Sequence, residues 1–270
     1  MALFDIIDDI AEKQITKTET GDNRIMGVMV GTVVNNYDMN MPGRVCVSIP
    51  VRDKEANELK WARVAMPSSG MSWGHYFLPE VGDQVLLVFD QGNIEKPYVI
   101  GCVPKDMSIF LRKSVDMLNK NKRIVTKNGN SILFEDNVEG GGMTDRMVIE
   151  TAKSMHSIEM NNAKNMITIK DLAGANQIEM KTGTGQMEIK AASKLTIKVG
   201  ETIELTMNGM TGATTLKTNR FTMEANESVK LDANANMEIR GGTVAVNAAS
   251  VAKINSSGAV VVSGTPIKVG

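Results

Sequence analysis

The chain has 270 residues, with 30 lysines and arginines against 31 aspartates and glutamates, for a net charge of −1. That balance excludes a bulk attraction to nucleic acid or to an anionic membrane, and no apolar run is long enough to span a bilayer. Two histidines, and two cysteines without CxxC spacing, leave no zinc signature, so neither a metal nor another cofactor is expected.

Residues 1 to about 24 read as a short amphipathic helix and a polar linker. Leu3, Ile6, Ile7 and Ile10 fall at helical spacing and form an apolar stripe opposite Asp5, Asp9 and Glu12. A helix this short is marginal alone, so the stripe is expected to dock on its own domain or on another protein. No basic region precedes the apolar residues, which argues against a signal peptide and for assembly in the cytoplasm.

Residues 25 to 104 read as a compact all-β domain. Strand-like runs at Ile25 to Val34, Arg44 to Ile49, Trp61 to Met66, Gln84 to Phe89 and Pro97 to Val103 are separated by turn-rich stretches. Five such strands suit a small oligonucleotide/oligosaccharide-binding (OB) barrel. Both tryptophans and all three tyrosines fall between Tyr37 and Tyr98, and Phe221 is the only aromatic residue after Phe134. Cys46 and Cys102 lie inside apolar runs, as buried thiols would, although a bond between them stays open at this stage.

Residues 105 to 150 form a transition, charged at first, with a short helix expected around Ser114 to Leu118 and a break at Gly140-Gly141-Gly142. Between them, Ile124-Val125-Thr126 and Ser131-Ile132-Leu133-Phe134 are strand-like. From 151 to 270 an apolar-x-apolar triplet returns about every eight residues, beginning Ile158/Met160, Ile167/Ile169, Ile178/Met180 and Met187/Ile189 and ending Ile267/Val269. Alternation of period two means strands with one buried face, and the Gly, Asn, Thr, Ala and Ser between triplets supply turns. No single repeat of such an array buries its own apolar face.

The period alone fits either a single-chain parallel β-helix, the scaffold of polysaccharide-active enzymes, or three intertwined chains that each supply strands to a shared rod. The longest interruption, Asn208 to Arg220, contains no acid, and the array lacks an aromatic platform, which favours the trimer over an enzyme.

The barrel segment carries an ordered set of residues: Gly31, Asp38, Pro42-Gly43-Arg44, Trp61-Ala62-Arg63, Pro67, Pro79, Val81-Gly82-Asp83, Gly92, Pro97 and Gly101. This set resembles the barrel of phage baseplate assembly protein V and of the VgrG spikes of type VI secretion. Lys127 to Asp136 and the triplets beyond it look like the neck and triple-stranded β-helix that follow that barrel. The resemblance covers roughly residues 25 to 270 and assigns structural roles to Gly43, Arg44, Trp61, Arg63, Gly82 and Asp83. The two glycines suit turns, Trp61 is expected in the core, and Arg63 is expected beside an acid or a ring.

The resemblance implies an all-β homotrimer, an OB barrel followed by an intertwined triple-stranded β-helix, serving as a non-enzymatic spike of a contractile injection particle that meets the target membrane mechanically. VgrG proteins carry a hub ahead of the barrel; here 24 residues precede it, which implies a separate hub protein for the Leu3/Ile6/Ile7/Ile10 stripe. No stretch fits the lysozyme domain of some phage spikes. Neither His75 nor His156 stands in the His-x-His motif with which others hold a metal. The final repeat, Thr265-Pro266-Ile267-Lys268-Val269-Gly270, is expected to seat a small PAAR-like tip protein. The remaining alternative is an oligonucleotide-binding barrel on a stalk, against which stands the scatter of basic residues among acids.

Overall fold

A computed structural model describes residues 16–18, 24–50 and 57–268. The candidate stripe Leu3, Ile6, Ile7 and Ile10, and the terminal Val269 and Gly270, lie outside the described residues. The chain divides between Lys194 and Leu195 into two units.

The first unit opens with five strands: β1 (Met29–Asn35), β2 (Arg44–Ile49), β3 (Glu58–Val64), β4 (Gln84–Phe89) and β5 (Pro97–Val103). They close into a barrel in the order β1-β2-β3-β5-β4. All neighbours pair antiparallel except β3 and β5, which run parallel. This is the OB arrangement expected from the five apolar runs.

Alternation decides which side chains fill the barrel. Val33, Val45, Val47, Ile49, Ala62, Val85, Leu87 and Val99 point inward and are essentially inaccessible to solvent. Gly31 is required by close packing: a Cβ there would meet Leu87 Cδ1 at 2.7 Å and the Ser48 carbonyl at 3.3 Å. Two turns set the strand ends. Met41-Pro42-Gly43-Arg44 closes with Arg44 N–H donating to Met41 O at 3.3 Å and Gly43 at φ +76°. Glu80 to Asp83 closes with Asp83 N–H donating to Glu80 O at 3.0 Å and Gly82 at φ +93°. A positive φ at the third turn position is the type II requirement that glycine meets without a Cβ penalty.

A helix, α1 (Ile109–Ser114), follows the barrel. It lies earlier than the expected Ser114 to Leu118, because the Ser108 hydroxyl accepts from Leu111 N–H and caps it, while Val115 is already extended. Seven strands then run as an antiparallel meander: β6 (Asn121–Val125), β7 (Ser131–Glu135), β8 (Arg146–Glu150), β9 (His156–Asn161), β10 (Met166–Asp171), β11 (Gln177–Lys181) and β12 (Gln186–Lys190). A parallel β-helix needs parallel neighbours, so the described strands of this stretch do not form that scaffold.

The meander turns are local chemistry. Asn165 and Gly185 each end a four-residue connection with positive φ, 49° and 67°. Asp171 accepts from Ala175 N–H at 2.9 Å and from Asn176 N–H at 3.1 Å and Nδ2 at 2.7 Å. The Asn176 side chain leads the effects that hold the Asp171 carboxyl below its ordinary range, aided by the backbone donors, so this turn is firm above that range and loosens only in acid. No heavy atom lies within 4 Å of a Cβ added at Gly185, so substitution there meets only the backbone penalty. Gly185→Val is expected to lower stability by about 1–2 kcal/mol, read as a fall in the urea midpoint.

The second unit holds β13 (Lys194–Val199), β14 (Ile203–Asn208) and β15 (Ala213–Lys217) in a three-stranded sheet. Residues 218–268 form no helix or strand. Their hydrogen bonds join near neighbours, such as Thr218 Oγ1 to Arg220 O and Gly258 N–H to Ser256 Oγ.

Candidate assembly surfaces

Register turns the triplets of the first unit into two continuous ladders. Ile124, Ile132, Ile149, Ile158, Ile169, Ile178 and Ile189 stand directly opposite one another from β6 to β12. A second ladder, two residues along each strand, runs Phe134, Met147, Met160, Ile167, Met180 and Met187. Opposed residues of an antiparallel pair share a face, so all thirteen side chains lie on one side of the sheet. They remain substantially open to solvent, from 36% for Ile178 to 65% for Met187 among the most exposed.

The other face is polar along its central row. Val148, Glu159, Thr168, Glu179 and Glu188 stand opposite one another, with Arg146 reaching Glu135 at 3.1 Å and Glu159 at 3.8 Å, and Lys181 reaching Glu179 at 3.3 Å. The two faces therefore differ sharply: one is a ladder of ion pairs and the other an apolar surface with nothing over it among the described residues.

Core formation stops at the barrel. Every fully buried large side chain among the described residues (Val33, Val45, Val47, Ile49, Val85, Leu87 and Val99) belongs to β1, β2, β4 or β5, and Val148 is the one buried hydrophobic residue beyond them. In the second unit Leu205 opposes Leu216, but the triplet residues from Phe221 to Ile267 stay half exposed or more. Ile239 is 70% exposed and Val246 79%.

Lys127 in the β6–β7 turn donates to Glu80 of the barrel at 2.9 Å, and that bond with its charge attraction pushes the lysine's pKa upward. The contact ties the meander to the loop before β4. Of the motif residues, Gly43, Gly82 and Asp83 occupy the two turns described above, and Asp83 Oδ2 also accepts from Glu80 N–H at 2.9 Å.

Trp61 is not in the core. Ala62 points inward opposite Val45, so Trp61 points outward opposite Cys46, partly exposed. Arg63 stands opposite Arg44, and among the described residues no acid pairs with either side chain. The alternation itself carries this signal, since a small residue between Trp61 and Arg63 marks the buried position.

Both cysteines are free, Cys46 buried and Cys102 exposed. Burial raises both thiol pKa values, with the Asp83 charge adding to the rise at Cys102. His75 lies near Ser68 at 3.1 Å and His156 near Thr151 at 3.5 Å. Among the described residues no group of three or more His, Cys, Asp and Glu side chains could hold a metal. No helix among them is long and apolar enough to cross a membrane, which does not bear on membrane strands. Thr265 to Lys268 are exposed and stand outside any strand.

Comparison with known proteins places the barrel. A relative in Pseudomonas aeruginosa, the type VI secretion system spike protein VgrG2a, is 33% identical over 85 residues, which cover 29% of this chain and 10% of that protein. The match thus spans about a tenth of the curated relative's length. Residues 29–103, which run from the first residue of β1 to the last of β5, match the type VI secretion system/phage-baseplate injector OB domain and make this an all-β, VgrG-like chain in its barrel.

Proposed function

We propose that this chain is a structural spike at the tip of the central tube of a contractile injection machine, such as a phage tail, a tailocin or a type VI-like apparatus. It acts without catalysis, as a homotrimer whose β-helix is driven mechanically through the target envelope when the sheath contracts. The observation that carries the reading is the pair of apolar ladders continued by unpaired apolar triplets, attached to a barrel of the injector family.

The area supports it. The chain exposes 21,810 Å², whereas a folded monomer of its 29.3 kDa exposes about 11,500 Å². Two further copies lying against the apolar face supply the missing core, and strands from those copies supply hydrogen-bond partners for residues 218–268. Interleaved chains resist unfolding because no monomer folds separately, which suits a part that transmits force.

The ends take separate partners. The Leu3, Ile6, Ile7 and Ile10 stripe meets a hub protein, and Thr265, Pro266, Ile267, Lys268, Val269 and Gly270 from three chains seat a PAAR-like tip protein. Ile267, 52% exposed, gives that platform an apolar centre. Deleting residues 265–270 is expected to abolish capture of the tip protein in a pull-down while the trimer remains; undiminished capture refutes the platform. The particle reading is tested by sedimenting particles from the producing cell, where three copies of this chain per particle are expected at the tube end. Its absence from intact particles overturns the reading.

A further inference from the structure

The outer face of the barrel holds a charged, aromatic cavity that the assembly surfaces do not use. Arg44 on β2 and Arg63 on β3 are directly opposed across the strand pair, and Tyr98 on β5 is opposed to Arg63 in turn. With Trp61 they line a cavity of about 380 Å³. Two cations directly opposite one another repel, and such a pair is tolerated when an anion lies between or above them.

The rest of the wall does not supply that anion. Asp90, Glu95 and Lys96 complete the charged lining. Glu95 is already engaged by Lys60 at 2.5 Å, and no acid pairs with Arg44 or Arg63 among the described residues. Three cations thus face the single uncommitted carboxylate of Asp90. The cavity calls for about two negative charges, presented on a segment that can lie along two aromatic rings.

The chain itself carries such a segment beside the cavity. Residues 1–15 contain Asp5, Asp8, Asp9 and Glu12 against one lysine, Lys13. The described chain begins at Thr16, whose carbonyl accepts from Arg24 N–H at 2.8 Å, and Lys17 O accepts from Arg24 Nε at 2.7 Å. Ile25 N–H donates to Gly92 O at 2.9 Å, and Gly92 sits in the loop between Asp90 and Lys96 that forms the cavity wall. Arg24 and Ile25 pack so closely there that a Cβ on Gly92 would meet Arg24 Cβ at 2.9 Å. The four acids precede Thr16 by four to eleven residues, a reach of at most roughly 13–36 Å at about 3.3 Å per residue.

We propose that the acidic segment 1–15 docks on the outer face of its own barrel, its carboxylates held by Arg44 and Arg63 and its chain laid against Trp61 and Tyr98. The docking would leave the opposite stripe, Leu3, Ile6, Ile7 and Ile10, turned outward. It stands whether or not the chain is a spike, because it rests only on the barrel and the acidic segment.

Hydrogen exchange of the full-length chain, read by mass spectrometry, tests the docking. In Arg44→Ala/Arg63→Ala, amides of residues 1–15 are expected to exchange at least tenfold faster, while those of β2, β4 and β5 keep their protection. Asp5→Asn/Asp8→Asn/Asp9→Asn/Glu12→Gln, which leaves the barrel sequence untouched, is expected to give the same acceleration. Unchanged exchange of residues 1–15 in this second variant overturns the proposal, even if the arginine variant unfolds. A second overturning result is binding of a twelve-residue oligothymidylate to the wild-type chain that is lost in Arg44→Ala/Arg63→Ala while residues 1–15 exchange as before, since the cavity would then be a nucleic-acid site.

Discussion

Ile169→Asp is expected to split the assembly into separate chains. Ile169 lies mid-ladder, directly opposed by Ile158 on β9 and Ile178 on β11, and is 41% exposed in the single chain. If the single chain were the working state, an acid at so open a position would change stability by no more than about 0.5 kcal/mol. If other copies cover it, each subunit loses the burial of an isoleucine, about 1.5–3 kcal/mol, and must also desolvate a carboxylate with no partner. Repeated in three subunits, that loss exceeds what an interface of ordinary strength tolerates. The measurement is molar mass in solution, with Lys170→Ala as control: Lys170 opposes Ser157 and Gln177 on the polar face, and its loss should leave the mass unchanged.

Leu87→Ala is expected to cost about 3–5 kcal/mol and to unfold most of the barrel at modest urea concentration. Leu87 is fully buried, and its Cδ1 fills the space left by the missing side chain of Gly31, so truncation leaves a void that the closed barrel cannot collapse to fill. Against a typical domain stability of 5–15 kcal/mol, a loss of this size is a large fraction of the whole. The near-ultraviolet signal of Trp61 and Trp73 should follow the transition. A shift below about 1 kcal/mol would mean that the barrel core lies elsewhere.

The barrel was legible because three strands, Arg44–Ile49, Gln84–Phe89 and Pro97–Val103, are delimited by residues with one conformational role, such as Gly43 and Gly82. The triplets were legible as strands for the same reason: alternation forces one face to be apolar. Which strand lies beside which was not legible. A turn ending in Asn165 or Gly185 is short enough for a hairpin, but the stutter reads the same in parallel and antiparallel stacks until register puts Ile158 opposite Ile169.

Two local readings gave way to stronger local forces. The helix near residue 110 is placed by the Ser108 cap, which outweighs the charge pattern that pointed further along. Trp61 read as core by size, yet size does not override parity: with Ala62 turned inward, its neighbour must face outward. That misreading concealed the cavity, because Trp61, Arg63 and Arg44 had been assigned to the barrel's interior and its ion pairs. As outward residues of adjacent strands they form one surface.

The claim on which the rest depends is that the ladders are the inside of a shared rod. Light scattering on the chromatographed wild-type chain measures this most directly. A single species of three times 29.3 kDa is the expected result, and a stable species of 29.3 kDa contradicts it.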